Sequence, residues 1–319
     1  MSINLYEEFP QLEKSLKKVN NVIQKSLESS EESFSTIIQK RFNENSKLIR
    51  PALCLIASEY NPKVKEKAIN LAAAIEMMHV ASLVHDDIID QAKTRRNEPT
   101  INEEYDVGYA VICGDYLFSK SFQLIFETQD LRGISKMGSN VTTMVFGEVE
   151  QYLEKYDENI SIERYFSIIE KKTASFFATS LVMGAYLANV KEKEIKILEQ
   201  IGRTMGMLFQ IQDDLLDFES QEQIGKSSQS DILRGTYSLP IIIALEDSIK
   251  FRDYVMSNKE EISFNQVMTY LDSSDALQKT QNYIDEYYNK TISLINELSN
   301  KEVNVKLTTL VNKLMKRSR

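Results

Sequence analysis

Apolar residues recur at three- and four-residue spacing along nearly the whole chain, and nowhere do they alternate one-in-two for long enough to make a strand. That spacing predicts a helix from about Leu12 to Leu27. Pro51, after Lys47-Leu48-Ile49-Arg50, suits the first turn of a second helix running to about Tyr60, and Asn61-Pro62 breaks the chain. A long apolar helix follows from Lys65 to about Gln91, then a polar loop from Thr94 to Thr100. Helices are expected at Val107 to Phe126, Gly133 to Tyr156, Ile162 to Leu187 and Glu192 to Phe218. Glu219 to Thr236 is polar, holds Gly225 and Gly235, and reads as a long loop. Pro240 opens a further apolar helix, Ser263 with Gln266 resembles a capping box for a helix through Leu271, and two amphipathic helices close the chain. The pattern predicts one all-α domain over residues 1–319, a large helical bundle.

Composition narrows this picture. Ten Gly and five Pro in 319 residues mean few turns and long elements. A net charge of −9 argues against a nucleic-acid partner, which would want a basic face. Cys54 and Cys113 lie in apolar helical contexts without metal or redox spacing, so they read as reduced core thiols of a cytoplasmic protein. Met1 to Pro10 has no apolar core of a signal peptide, and no apolar run is expected to reach the roughly 20 residues that span a bilayer.

The chemistry lies in two acidic turns. The Lys65–Gln91 helix delivers Asp86, Asp87 and Asp90 after an apolar run, and Arg95 and Arg96 follow. Asp86 and Asp90 are four apart and share a helix face, with Asp87 turned aside. Asp213, Asp214 and Asp217 repeat the pattern near the end of the Glu192–Phe218 helix. Acids at such spacing ordinarily mark a solvated face, but both groups are preceded by apolar runs and interrupted by Ile-Ile or Leu-Leu. Hard oxygen ligands one turn apart suit Mg²⁺, which keeps several waters and bridges one or two carboxylates to substrate phosphates. Arg95, Arg96, Lys172 and Lys226 supply the cations that diphosphates need.

These residues resemble the trans-isoprenyl diphosphate synthases, the polyprenyl synthetase family, along nearly the whole chain. The matches are Lys47-x-x-Arg50-Pro51, the first aspartate motif with Arg95-Arg96 and Pro99-Thr100, Gly114-Asp115-Tyr116-Leu117, Gly147-Glu148-x-x-Gln151 and Lys172-Thr173. They continue through Phe209-Gln210-x-x-Asp213-Asp214-x-x-Asp217, Gly225-Lys226, Asp231 and Leu239-Pro240. The resemblance implies the isoprenoid synthase fold, helices around a central cavity, and condensation of an allylic diphosphate with isopentenyl diphosphate. It implies that Asp86, Asp90 and Asp213 bind Mg²⁺, three ions in all, while Asp87, Asp214 and Asp217 act through water or neighbouring groups. By the same resemblance Arg95, Lys172 and Lys226, with Thr173 and Gln210 nearby, hold the allylic diphosphate. Lys47, Arg50, His79 and Arg96 hold isopentenyl diphosphate, and His85 is structural.

The chain departs from the family pattern where Asn45-Ser46 replaces Gly-Gly, where Asn97-Glu98 displaces a Gly, and where Gly235-Thr236 lacks a lysine. Ala81 and Ser82, small where short-chain members place Phe or Tyr, leave a product tunnel open, with Met78 the next candidate floor. A product of C25 or longer is expected, and a short-chain farnesyl or geranylgeranyl product is the alternative. The missing lysine resembles the catalytic subunit of bacterial hexaprenyl and heptaprenyl synthases, which pairs with a small non-catalytic subunit; a homodimer is the rival. A class I terpene cyclase would lack Lys47 and Arg50, and a non-catalytic scaffold would have broken aspartate motifs.

Overall fold

The computed structural model describes residues 5–29, 31–42, 46–95, 98–219, 232–258 and 262–316. Its contacts group into two compact units, Met1–Met137 with Ser180–Ile195, and Gly138–Thr179 with Lys196–Arg319. The first unit holds α1 (Pro10–Ser26), α2 (Glu32–Gln39), α3 (Ile49–Ser58), α4 (Lys65–Ile89), strands β1 (Thr94–Arg95) and β2 (Glu98–Pro99), α5 (Ile101–Glu104) and α6 (Val107–Glu127).

α4 is its core. Every residue from Leu71 to Met78 is buried, so this helix is apolar on all sides rather than along one stripe. α1, α3 and α6 pack against it. α6 runs antiparallel to α4: Gly114 abuts the His85 ring, while further along α6 the Ser121 hydroxyl faces Met78 Sδ at 3.9 Å. A Cβ at Gly114 would lie 2.2 Å from His85 Nε2, so a larger residue there would require the imidazole to swing aside. By length and composition alone, Pro62–Ile89 could cross a membrane, against the sequence expectation, but 72% of its apolar 18-residue stretch is buried inside the fold. Cys54 and Cys113 are free and buried, and burial pushes the Cys113 thiol up to about 11, which keeps it protonated and inert.

α7 (Leu131–Leu153), α9 (Ser175–Leu187) and α10 (Glu192–Glu219) pass from one unit to the other. The second unit adds α8 (Ile162–Ile169), a π-turn at Glu170–Ala174, α11 (Leu239–Asp247), α12 (Ile249–Ser257), α13 (Phe264–Ser273), α14 (Ala276–Asn296) and α15 (Lys301–Met315). α10 here presses against the segment from the π-turn into α9. A Cβ at Gly202 would sit 2.4 Å from Ala178 Cα, and one at Gly206 2.5 Å from Ala174 Cα. Two glycines one turn apart facing two alanines one turn apart let backbones touch. The stripe continues through Gln210 and Asp214, so the same contact sets Gln210 beside Thr173 and Asp214 beside Tyr165.

Four sequence expectations are corrected. The Ile162–Leu187 helix is interrupted by the π-turn, and α2 and α12, each under three turns long, fall where no helix is expected. The polar loop after α4 contains a two-stranded antiparallel hairpin. Ser263 does begin α13, but its side chain caps nothing; its backbone carbonyl accepts from Gln266 N at 3.1 Å.

Candidate active site

Exposure along α4 changes at His79. From there His79, Ser82, Leu83, Asp86 and Asp90 are part-exposed, on one helical stripe, while Val80, Ala81, Val84 and Asp87 are buried. Asp86 and Asp90 therefore stand one turn apart on the opening face, with Asp90 capping the C-terminal end of α4. Asp87 points elsewhere. Its side chain is only 9% exposed and its Oδ1 accepts from Arg95 Nε at 2.8 Å. Burial raises the Asp87 carboxyl above the ordinary range, and the nearby charges of Arg95 and Arg41 oppose that rise.

Asp87, Arg95 and His79 line one cavity of about 570 Å³, together with Arg41, Glu76 and Glu104. His79 Nε2 lies 3.1 Å from Arg50 Nη1, and the Ser82 hydroxyl donates to the His79 carbonyl at 2.8 Å. Lys47 and Arg50 flank Leu48, whose left-handed backbone (φ 44°) turns the chain into α3. Such a conformation costs a non-glycine residue roughly 1–2 kcal/mol. The Lys47 carbonyl is fixed by the Tyr6 hydroxyl at 2.6 Å. Four of the residues expected around isopentenyl diphosphate and the first aspartates, Arg50, His79, Asp87 and Arg95, are thus joined in two contacts. Arg96 and Lys226 lie outside the described residues.

The second cluster has the same division. On α10, Phe209, Gln210, Asp213, Leu216 and Asp217 are part-exposed, and Asp214 is buried. Asp214 Oδ2 accepts from the Tyr165 hydroxyl at 2.7 Å and from Leu239 N at 3.0 Å; its Oδ1 accepts from Gln210 Nε2 at 3.0 Å. Gln210 Oε1 in turn accepts from the Thr173 hydroxyl at 3.0 Å. Burial raises the Asp214 carboxyl, and those three donors pull it back. Burial also lifts the Tyr165 hydroxyl well above its usual value, so it remains a donor.

Lys172 sits in the π-turn, where an extra backbone residue bulges the helix. Its Nζ meets Glu148 Oε2 at 2.5 Å and Gln151 Oε1 at 3.4 Å. A Cβ at Gly147 would lie 2.9 Å from Lys172 N, so Gly147 lets α7 come close enough for Glu148 to reach the lysine. The Gly147-Glu148-x-x-Gln151 motif, given no role from sequence, is a seat for Lys172. Tyr165 also went unassigned, although its place two turns before Lys172 on an apolar helix was a signal for it.

Among the described residues no three His, Cys, Asp or Glu side chains are grouped closely enough to enclose an ion unaided. The donor set nevertheless fits Mg²⁺. That ion takes one or two protein carboxylates and completes its shell with water and substrate oxygens. Asp86 and Asp90 are hard donors at the C-terminal end of α4, where the helix dipole also attracts a cation, and Asp213 and Asp217 are hard donors one turn apart on α10.

The polyprenyl synthetase family model matches residues 31–271. Component 2 of the heptaprenyl diphosphate synthase of Geobacillus stearothermophilus is 34% identical over 255 residues, 79% of this chain and 80% of that one. Among solved structures, geranylgeranyl pyrophosphate synthase from Lactobacillus brevis superposes with a TM-score of 0.92 at 27% identity, covering 98% of this chain and 99% of that chain. Heptaprenyl diphosphate synthase from Staphylococcus aureus gives 0.88 at 27% identity, with coverage of 97% and 99%.

The Tyr165–Asp214 bond makes a stability prediction for the metal-free protein. Tyr165→Phe leaves a buried carboxylate short of one donor, a cost of about 1–3 kcal/mol. Because the hydroxyl favours the ionised form, its loss raises the Asp214 carboxyl further. A carboxyl raised in the fold favours folding at low pH, and that contribution is lost as pH rises through the raised value. The stability deficit of Tyr165→Phe is therefore largest at neutral pH and shrinks on acidification, as urea midpoints at neutral and mildly acidic pH will show.

Proposed function

The chain belongs to the polyprenyl synthetase family, and from that premise we propose that it joins an allylic diphosphate to isopentenyl diphosphate, giving a medium- or long-chain polyprenyl diphosphate. Its fold is the all-α isoprenoid synthase fold. In the reaction the allylic C–O bond breaks and its electron pair leaves with the diphosphate. The double bond of isopentenyl diphosphate forms the new C–C bond, and a proton is then lost to the departing pyrophosphate.

The observation that carries this reading is the part-exposed stripe of α4. It aligns His79, Asp86 and Asp90, and Arg95 and Arg50 stand against its flanks. Asp86, Asp90 and Asp213 would hold Mg²⁺ directly, part-exposed Asp217 would act on it through water, and buried Asp87 and Asp214 support those ligands. Bound there, Mg²⁺ supplies Lewis-acid stabilisation of the leaving diphosphate. Arg95, Lys172 and Lys226, with Thr173 and Gln210, grip the allylic diphosphate. Lys47, Arg50, His79 and Arg96 grip isopentenyl diphosphate, guanidinium groups binding its oxygens in a bidentate fork. Asp86→Ala is expected to lower condensation by about a thousandfold or more with the fold intact; undiminished turnover would refute the assignment.

Product length is read from α4 as well. Met78 and Ala81 are fully buried and Ser82 is part-exposed, so the wall one to two turns before Asp86 carries small or flexible groups. Ala81→Phe adds a ring to that wall and should shorten the product by one or more isoprene units on mass-spectrometric analysis; an unchanged product removes Ala81 from the ruler.

We assign the chain the role of catalytic partner to a small non-catalytic subunit, with a homodimer as the rival assembly. Support comes from its likeness to a component 2 protein. On α7, Val145, Phe146, Val149, Tyr152 and Leu153 are exposed, an apolar face of the kind that subunits cover. The pure chain with farnesyl diphosphate, isopentenyl diphosphate and Mg²⁺ should turn over feebly by itself. Full activity of the chain alone would exclude an obligate partner.

A further inference from the structure

The hairpin that presents Arg95 is too small to hold itself. Among the described residues its ladder pairs only Thr94 with Pro99 and Arg95 with Glu98, all four residues are exposed, and Pro99 has no N–H to contribute. The base of the hairpin is tied locally. The Ala92 carbonyl accepts from the Thr100 hydroxyl at 2.6 Å and from Asn102 Nδ2 at 3.1 Å, and Thr100 N donates to the Lys93 carbonyl at 3.1 Å. β2 is held from a distant part of the chain. Arg41, two residues past the end of α2, donates from Nη1 to the Pro99 carbonyl at 2.8 Å, and its Nη2 pairs with Glu104 Oε2 at 3.0 Å.

The Arg41 side chain is only 17% exposed. Its two donors belong to one rigid plane, so meeting both partners fixes the strand in direction as well as distance. On the other strand Arg95 is drawn to the buried carboxylate of Asp87. The hairpin is thus suspended between two guanidinium–carboxylate pairs, Arg41–Glu104 behind β2 and Arg95–Asp87 in front of β1, and all four side chains line the cavity that His79 also lines.

We propose that Arg41 is a positioning residue of the prenyl-transfer site: by pinning β2 through the Pro99 carbonyl and Glu104, it sets where Arg95 meets the allylic diphosphate. This rests on the reading of Arg95 as a diphosphate-binding residue, so Arg95→Ala is the control. The variants Arg41→Ala, Arg41→Lys and Glu104→Gln are compared with the parent in steady-state assays at saturating Mg²⁺, with the partner subunit added if activity needs it. Calorimetric binding of inorganic pyrophosphate gives a second readout.

Arg41→Ala is expected to raise KM for farnesyl diphosphate about tenfold while kcat changes by less than about threefold, because what is lost is the placement of a binding group. Pyrophosphate binding should weaken in parallel. Arg41→Lys should fail to restore KM, since one ammonium cannot reproduce two donors in a fixed plane. Glu104→Gln, which keeps the Pro99 bond, should give a smaller rise. If Arg41→Ala does not fold, Arg41→Lys and Glu104→Gln decide by the same KM test. A raised KM in Arg95→Ala beside unchanged values in the Arg41 and Glu104 variants overturns the role of Arg41 alone. An unchanged KM in Arg95→Ala overturns the reading of Arg95 and the proposal with it.

Discussion

Everything in this structure is arranged around an electrostatic conflict at the ends of two helices. Asp86 and Asp90 close α4, and Asp213 and Asp217 occupy the last turns of α10. A helix C-terminus already carries partial negative charge from its unpaired carbonyls, and carboxylates there are in the unfavoured position. Each pair also faces a like charge one turn away. A cation relieves both strains at once. The middle aspartate of each motif is relieved differently, by protein: Asp87 is buried against Arg95, and Asp214 against Tyr165, Gln210 and Leu239 N. The same three-residue pattern thus yields two outward acids suited to metal and one inward acid that anchors the helix end.

That anchoring demands close backbone packing, which small residues supply. Gly202 and Gly206 bring α10 onto Ala178 and Ala174, and Gly147 brings α7 onto the π-turn at Lys172. Without those contacts Gln210 would not reach Thr173, nor Glu148 the lysine. Methyl groups at these glycines would meet backbone atoms at distances real Cβ atoms do not show, so neighbours cannot absorb them by changing rotamer.

How much of this was legible in the sequence depends on the range of the interaction. The long helices follow from three- and four-residue periodicity, and the i, i+4 aspartates declare their shared face directly. The burial of Asp87 and Asp214 between them follows from the same geometry once the flanking Ile and Leu residues are seen. The π-turn was not legible, because one extra residue shifts the helical phase by about 100° and the apolar pattern on either side is too rich to reveal it. Short α2 and α12 give too few periods to register. The hairpin after α4 has no alternation to read, since its stability comes from Arg41 and from Thr100 and Asn102 outside the ladder. Such pairings between distant residues leave no spacing in the sequence, which is why Arg41 emerges only from the structure, and why Tyr165, though its helical position is visible, shows no partner until Asp214 is placed beside it.

The burial of α4 also explains how one helix serves several tasks. Successive residues rotate by about 100°, so His79, Asp86 and Asp90 share one stripe, Met78 and Ala81 face another, and Ser82 stands at the border between them. A polar stripe for diphosphate and an apolar wall for a hydrocarbon tail can therefore be built from a single turn-by-turn register. In the proposed reading the depth of that wall is locked to the position of the acids, because both ride on the same rigid element. The constraint is that the middle of α4 is enclosed by α1, α3 and α6, which makes its sequence apolar enough to resemble a membrane span. A core helix with that composition is the expected result of placing charged chemistry and a lipid-like substrate on one rod.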